Sequence, residues 1–340
     1  MARAVISGTG LIGTSIALGL RDLGWETVGW DPDRGALAGA VEMGAVEPIG
    51  ECDPGMLDPG DLLILAAPPS SIIATLRTLQ TAALVIDVAS VKEPILEAAV
   101  TPRFVGTHPM AGREVTGPSA ARAGLFRGAT WVVVPDHAGE ADLMLVESIV
   151  RSLGARPVRM SAADHDAAVA RISHLPQILA AALLDGAADV PGALELAAGS
   201  FRDLTRVAAS DPAIWMDILT TNRTEVAAAA EELGARLAAL MSSDAQLAVA
   251  LAEAQRLRRS LGPAVAAVHV ALEDRPGEIA AVGRALAASR VDLRDLQLRH
   301  APYGGGGILT LWVRVDELAA LRSALGAERL SVTAPSSESG

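Results

Sequence analysis

A chain of 340 residues exceeds what one hydrophobic core usually serves and points to two or three domains. Hydrophobic residues make up 51% of it and charged residues 20%, with aromatics at 3%, so a globular, helix-rich protein built on Ala, Leu and Val is expected. A net charge of -12 without a large Lys/Arg cluster argues against nucleic acid as a partner, and the single cysteine, Cys52, excludes an intrachain disulfide framework and a cysteine-rich zinc site.

Arg3 and the apolar run to Leu20 imitate a signal peptide, but the spacing of Gly8, Gly10 and Gly13 belongs to a folded nucleotide site. No other stretch reads as a bilayer span, so a cytoplasmic protein with no membrane partner and no metal is expected. Residues 1–160 alternate short β-rich runs with helical ones, as a parallel α/β sheet requires. The expected strands are Ala4–Ser7, Thr27–Trp30, Leu62–Ala66, Leu84–Val88, Phe104–Gly106 and Trp131–Val134. Several are continuous apolar runs, the pattern of strands covered on both faces by helices.

Gly8-Thr9-Gly10-Leu11-Ile12-Gly13 follows the first of these strands and opens a helix. The glycines allow a tight turn and close approach of a pyrophosphate to a helix N-terminus, whose unpaired amides favour an anion. Asp31 follows at about the 20-residue spacing of the dinucleotide fingerprint, where a carboxylate accepts hydrogen bonds from a ribose and repels an extra phosphate. NAD, rather than NADP, is the expected cofactor. His108, in Thr107-His108-Pro109-Met110-Ala111-Gly112-Arg113-Glu114, directly follows another expected strand, and ligands of open α/β sheets bind beyond the carboxyl ends of the strands.

Over residues 161–262 strand signals vanish. Val226, Leu233, Leu237 and Leu240 recur at helical spacing, and Leu247, Leu251 and Leu261 continue an apolar stripe. Pairing with a second copy of the chain hides such a surface as readily as intramolecular packing does. Within this region Ser173-His174-Leu175-Pro176-Gln177 reads as helical, with His174 and Gln177 on one face and a kink at Pro176. Residues 263–333 carry a βαββαβ order, the ferredoxin-like plan: strand Val265–Leu272, turn Asp274-Arg275-Pro276-Gly277, helix to Ala288, strand Asp292–Leu298, turn Gly304–Gly307, strand Ile308–Val315, helix Glu317–Leu325 and strand Arg329–Val332. The Ser-rich tail, 334–340, reads as disordered.

The segments Ser90-Val91-Lys92, Thr107–Gly112, Ser173–Pro176 and Phe201-Arg202-Asp203-Leu204-Thr205-Arg206, followed by Ser210-Asp211-Pro212 and Trp215, resemble the prephenate/arogenate dehydrogenase family. The resemblance runs from the glycine loop to about Leu261, in the family's order. It implies NAD-dependent oxidative decarboxylation of prephenate or arogenate in tyrosine biosynthesis, with His108 as the base for the substrate hydroxyl and Ser90 orienting it. It implies that Arg206 anchors a substrate carboxylate, with Arg202 and Arg113 as weaker candidates, and that Ser173, His174, Gln177, Trp215 and Glu114 line the substrate site. Many relatives have a second histidine where this chain has Gln177, and a neutral amide suits a keto group better than the ammonium of arogenate. His165-Asp166 resembles a pair found in family members and reads equally well as a helix-start polar pair.

The last unit resembles an ACT regulatory domain, which implies tyrosine or phenylalanine as an effector near its first strand–helix loop; a degenerate domain used for association is the alternative. The expected architecture is therefore an N-terminal Rossmann domain, an all-helical second domain that forms a homodimer, and a ferredoxin-like, ACT-like third. Two other functions stay in view: another Rossmann-plus-helical NAD(P) dehydrogenase, which would place a catalytic Lys or Asp in the second domain, and a non-catalytic effector sensor, which would have little need for Ser90, His108 and Arg206 together.

Overall fold

The structure, a computed structural model, describes residues 3–50, 57–111, 117–260, 265–293, 295–300 and 306–333. Cys52, Gly112, Arg113, Glu114, Leu261, Gly262, Pro263, Tyr303, Gly304, Gly305 and the 334–340 tail lie outside the described residues. The chain forms two compact units, Met1–Arg236 and Leu237–Gly340.

The first unit opens with a parallel sheet of β1 (Arg3–Ser7), β2 (Glu26–Trp30), β3 (Glu47–Pro48), β4 (Leu62–Leu65), β5 (Leu84–Asp87) and β6 (Phe104–Val105) in the order 3-2-1-4-5-6. That is the doubly wound dinucleotide-binding order, with the strand sequence reversing between β1 and β4. Helices α1 (Leu11–Asp22), α2 (Arg34–Glu42), α3 (Pro69–Leu76) and α4 (Glu93–Ala98) connect the strands. Alternate side chains enter opposite cores: Ala4, Ile6, Ile64 and Ile86 join Ile16 and Leu20 of α1, while Val5, Leu63 and Val85 join Ile72 of α3 and Ile95 of α4. Burial on both faces is why these strands are apolar without interruption.

After β6 the chain leaves the parallel sheet. β7 (Thr107–Pro109) pairs antiparallel with β8 (Thr130–Val133), which pairs parallel with β9 (Arg156–Arg159) beyond helix α5 (Glu140–Ser152). His108 therefore lies inside a short strand of a second sheet, opposite Val132, and not in a loop beyond the first. A Thr-His-Pro strand has no alternating apolar signal by which to be recognised.

Helix α6 (Ala162–Val169), a π turn (Ala170–His174) and helix α7 (Leu175–Ala188) form one run. The expected kink at Pro176 takes the form of that π turn in the chain just before it: proline has no N–H to donate and crowds the carbonyl four residues back, and a widened turn relieves both. By length and composition the run 162–188 is apolar enough to cross a membrane, contrary to the expectation that no stretch beyond the N-terminal one reads as a bilayer span. Its buried His165, Asp166 and His174 are instead hydrogen-bonded within the protein. Helices α8 (Gly199–Thr205), α9 (Pro212–Thr221) and α10 (Arg223–Met241) follow, and Val226 and Ala229 of α10 pack on Ala170 and Leu175.

The second unit contains α11 (Asp244–Ser260), β10 (Val265–Leu272), α12 (Glu278–Ser289), β11 (Asp295–His300), β12 (Gly307–Arg314), α13 (Leu318–Ala327) and β13 (Ser331–Thr333). The four strands form an antiparallel sheet in the order β11-β12-β10-β13, and α12 and α13 bury Val282, Ala285, Leu321 and Leu325 against Val268, Val270, Leu309 and Leu311. This is the expected βαββαβ plan with boundaries shifted by a few residues.

Candidate active site

The β1–α1 turn fits a dinucleotide. Gly8 has φ +102° and a Cβ there would lie 2.3 Å from Ala66 O, while a Cβ on Gly13 would lie 2.0 Å from Gly8 O. Those two glycines are demanded by the fold itself. A Cβ on Gly10 would meet nothing within 4 Å, and no side chain caps α1, so the amides of Leu11 and Ile12 begin a helix whose N-terminus is left uncovered by Gly10. Asp31, directly after β2, is turned onto this loop: its Oδ2 accepts Thr9 N at 2.6 Å and Thr9 Oγ1 at 3.1 Å, and its Oδ1 accepts Asp33 N at 2.9 Å. The carboxylate is thereby held beside the glycine turn.

The segment that carries Ser90 and the strand β7 that carries His108 are joined through Asp87, one half of a buried ion pair. Asp87, the last residue of β5, accepts Thr107 N at 3.0 Å and Ala89 N at 2.9 Å and pairs with Lys92; Thr107 Oγ1 donates back to Asp87 O at 2.5 Å. Both partners are fully buried, and burial pushes the Asp87 carboxyl up and the Lys92 ammonium down, against their mutual attraction. Ser90 is half-buried, and its hydroxyl has no hydrogen bond among the described residues.

His108 Nδ1 lies 2.9 Å from His165 Nε2, with the rings edge to face at 5.1 Å. His165 Nδ1 lies 2.7 Å from Asp166 Oδ1. Asp166 in turn accepts Lys92 N and Glu93 N, each at 2.8 Å, at the start of α4. Burial first, and then the charges of His165, Lys92 and His174, hold the His108 imidazole well below its usual 6.5, so it is neutral near pH 7.

The π turn brings a second group to the same place. In an unbroken α-helix, at about 100° per residue, eight residues would put His174 about 80° away from Asp166 around the axis. One extra residue absorbed by the π turn cancels most of that angle, and Asn222, just past α9, spans the two: its Nδ2 donates to Asp166 O at 3.0 Å and to His174 Nδ1 at 3.1 Å. Burial lowers the His174 pKa to about 4. Trp215 of α9 stands edge-on to the His174 ring at 6.2 Å. His174 Nε2 and Gln177 Oε1 are buried with no hydrogen-bond partner among the described residues, and Ser173 is half-buried between them in sequence and the α6 end of the run. Unpaired buried polar atoms of this kind call for a polar ligand.

Arg206 begins a short turn (Arg206–Ala209) after α8 that packs on α7, the helix of Gln177. It is exposed in this chain, and Arg202 is committed to Ala197 O at 3.2 Å. Sequence reasoning left His165 and Asp166 undecided and missed Asp87, Lys92 and Asn222 as site residues. An aspartate closing the otherwise apolar strand Leu84–Asp87 was the available signal for the buried pair; nothing local marks Asn222.

Two family models match the chain: the nucleotide-binding domain of prephenate dehydrogenase over residues 16–159 and the dimerization domain of prephenate dehydrogenase over residues 161–249. A prephenate dehydrogenase of Bacillus subtilis is 29% identical, covering 92% of each chain. A probable prephenate dehydrogenase of Streptomyces niveus is 33% identical over 92% of this chain and 94% of its own. The crystal structure of prephenate dehydrogenase from A. aeolicus in complex with hydroxyphenyl propionate and NAD+ superposes with a TM-score of 0.70 at 28% identity, covering 77% of this chain and 99% of that one. Synechocystis arogenate dehydrogenase gives 0.63 at 30% identity, over 76% and 98%. With the glycine turn, the buried histidines and these matches in register along one chain, the protein belongs to the prephenate dehydrogenase family.

Proposed function

We propose that this chain oxidises prephenate with NAD and releases carbon dioxide and 4-hydroxyphenylpyruvate. The observation that carries the reading is the neutral His108 held at the end of a hydrogen-bonded His165–Asp166 pair, on the strand that the buried Asp87 ties to the loop bearing Ser90. NAD, when bound at the Gly8–Gly13 turn and Asp31, supplies the hydride acceptor. His108 Nε2 takes the proton of the ring hydroxyl as hydride leaves the same carbon, and Ser90 holds that hydroxyl in line. Loss of the carboxylate from the quaternary carbon sends its bonding electrons into the ring, and the proton on His108 returns to the new phenolate oxygen. Arg206 pairs with a substrate carboxylate as a planar two-point donor.

His174 offers an N–H and Gln177 an amide to the side chain of the substrate, with Ser173 and Trp215 beside them. A neutral Gln177 favours the keto side chain of prephenate over the ammonium of arogenate. Initial rates from reduced-nicotinamide absorbance, measured with each substrate, test that preference; a higher kcat/KM for arogenate reverses it.

In this reading residues 1–160 hold the cofactor, 161–262 complete the substrate site and form a homodimer, and 263–333 regulate. Exposed Leu183, Leu196 and Met216 on the helical part support association. The ferredoxin-like sheet supports an ACT-like assignment, with a cavity of about 100 Å³ at the β10–α12 loop lined by Glu273, Asp274, Arg275 and Glu278. Charges of both signs around a small cavity suit the zwitterion of tyrosine or phenylalanine.

A further inference from the structure

We propose that Asp166, acting through His165, fixes the tautomer of His108 and so decides whether His108 can serve as the base; His165 and Asp166 are positioning residues for the reaction. The inference rests on the reading of His108 given above and follows from the direction of each hydrogen bond.

Both oxygens of Asp166 are met by backbone donors, Lys92 N on Oδ1 and Glu93 N on Oδ2, each at 2.8 Å. Toward His165 it therefore stands as an acceptor, and the 2.7 Å contact puts the proton of a neutral His165 on Nδ1. A neutral imidazole has one N–H, so His165 Nε2 presents a lone pair. The 2.9 Å contact to His108 then needs its proton from His108 Nδ1. His108 Nε2 is left bare, the atom that must take the hydroxyl proton. Reversing any bond in this chain would put a hydrogen on Nε2 and remove the base.

The other groups that bear on His108 agree with this order. Lys92 is committed to Asp87, and His174 Nδ1 is filled by Asn222, so neither competes for His108 Nδ1. His165 and Asp166 are both 1% exposed, and the 2.9 Å separation of His108 Nδ1 and His165 Nε2 is a direct contact.

Two substitutions at His165 separate this role from simple packing. In His165→Gln the side-chain oxygen takes the place of Nε2 and can still accept from His108 Nδ1. In His165→Asn the shorter amide takes the place of Nδ1, keeps the Asp166 contact and loses His108. The expected result is a kcat within about 5-fold of the parent for His165→Gln and a fall of about 10²-fold or more for His165→Asn, the scale of losing a properly presented base. KM for prephenate and NAD affinity should stay within about 3-fold in both, because neither substitution touches those ligands. Equal impairment of the two, or a His165→Asn enzyme as fast as the parent, overturns the proposal. Long-range ¹H–¹⁵N spectra of the unsubstituted full-length protein give an answer that does not depend on either variant folding. His108 must show a protonated Nδ1 and a bare Nε2, and the opposite tautomer refutes the assignment. His108→Asn serves as the control: if it retains turnover, the base itself is misassigned, whereas an inactive His108→Asn beside an unimpaired His165→Asn sinks only the tautomer role.

Discussion

Asn222 Nδ2 donates to His174 Nδ1 at 3.1 Å, which leaves the His174 proton on Nε2, buried and without a partner among the described residues. An amide nitrogen can only donate, so the direction of this bond is fixed once the amide is oriented by Asp166 O. His174 thus holds a buried hydrogen-bond donor that no described residue uses, and in the proposed function its partner is an oxygen of the substrate side chain. His174→Ala is expected to raise KM for prephenate about 10-fold, the worth of a hydrogen bond to a charged or strongly polar acceptor. NAD affinity, measured by nicotinamide-quenched tryptophan fluorescence or calorimetry, should not change. Parallel loss of both affinities would assign His174 to the fold alone.

His108 and His174 set the acid behaviour. Because burial and the neighbouring His165, Lys92 and His174 hold His108 well below 6.5, the imidazole proposed as the base stays unprotonated through mild acid. The acid limb of the kcat/KM profile should therefore have its midpoint below 6.5, and a midpoint at or above 6.5 contradicts the assigned environment. Stability has the same sign. His174 titrates near 4 in the folded chain and near 6.5 when unfolded, so in that window the unfolded state binds more protons and stability falls as pH drops, by about 3 kcal/mol when the window is crossed. Thermal melts from pH 7 to 4 should show a shallower decline for His174→Gln than for the parent; identical slopes would refute the shift.

Arg206→Gln should raise KM for prephenate strongly and leave NAD affinity nearly unchanged. Removing a charged hydrogen bond to a carboxylate costs on the order of 1.5–3 kcal/mol, or about 10- to 10²-fold. Steady-state kinetics with calorimetric NAD titration make the check, and equal weakening of both ligands would indicate a folding defect.

Deleting the chain after Leu261 should leave an active dehydrogenase that no longer responds to aromatic amino acids. An effector shifts the population of two states only by its differential affinity for them, and removal of its site removes the shift. Initial rates over tyrosine and phenylalanine titrations of the full and shortened chains decide this. Unchanged tyrosine inhibition after truncation would place tyrosine in the catalytic cleft, where it resembles the product.

The parallel sheet was legible in the sequence because burial on both faces writes each strand as an uninterrupted apolar run, and the glycine turn because steric demands at Gly8 and Gly13 admit no other residue. β7 was not legible: its three residues include His108 and Pro109, and its place is set by pairing with Trp131 and Val132 of β8. The helical run 162–188 was legible as helix, but its π turn was not, and that turn decides which side chains share a face with Asp166. The partner of His108 was hidden for a related reason. His165 lies 57 residues away in sequence, in a pair that begins a helix, and only the packing of α6 on α4 shows that its ring completes a contact from another strand. Asn222 carries no motif at all, and its role comes from spanning two groups, one of them 48 residues distant.

The central claim, oxidation with decarboxylation of prephenate by NAD, is tested most directly by stoichiometry. Prephenate should be incubated with the full-length protein and NAD, with reduced nicotinamide followed by absorbance and carbon dioxide trapped in parallel. One reduced nicotinamide and one carbon dioxide per prephenate consumed, with 4-hydroxyphenylpyruvate as the product and NADP much the poorer acceptor because of Asp31, is the predicted result. Carbon dioxide released without nicotinamide reduction, or no turnover of prephenate with NAD, would contradict it.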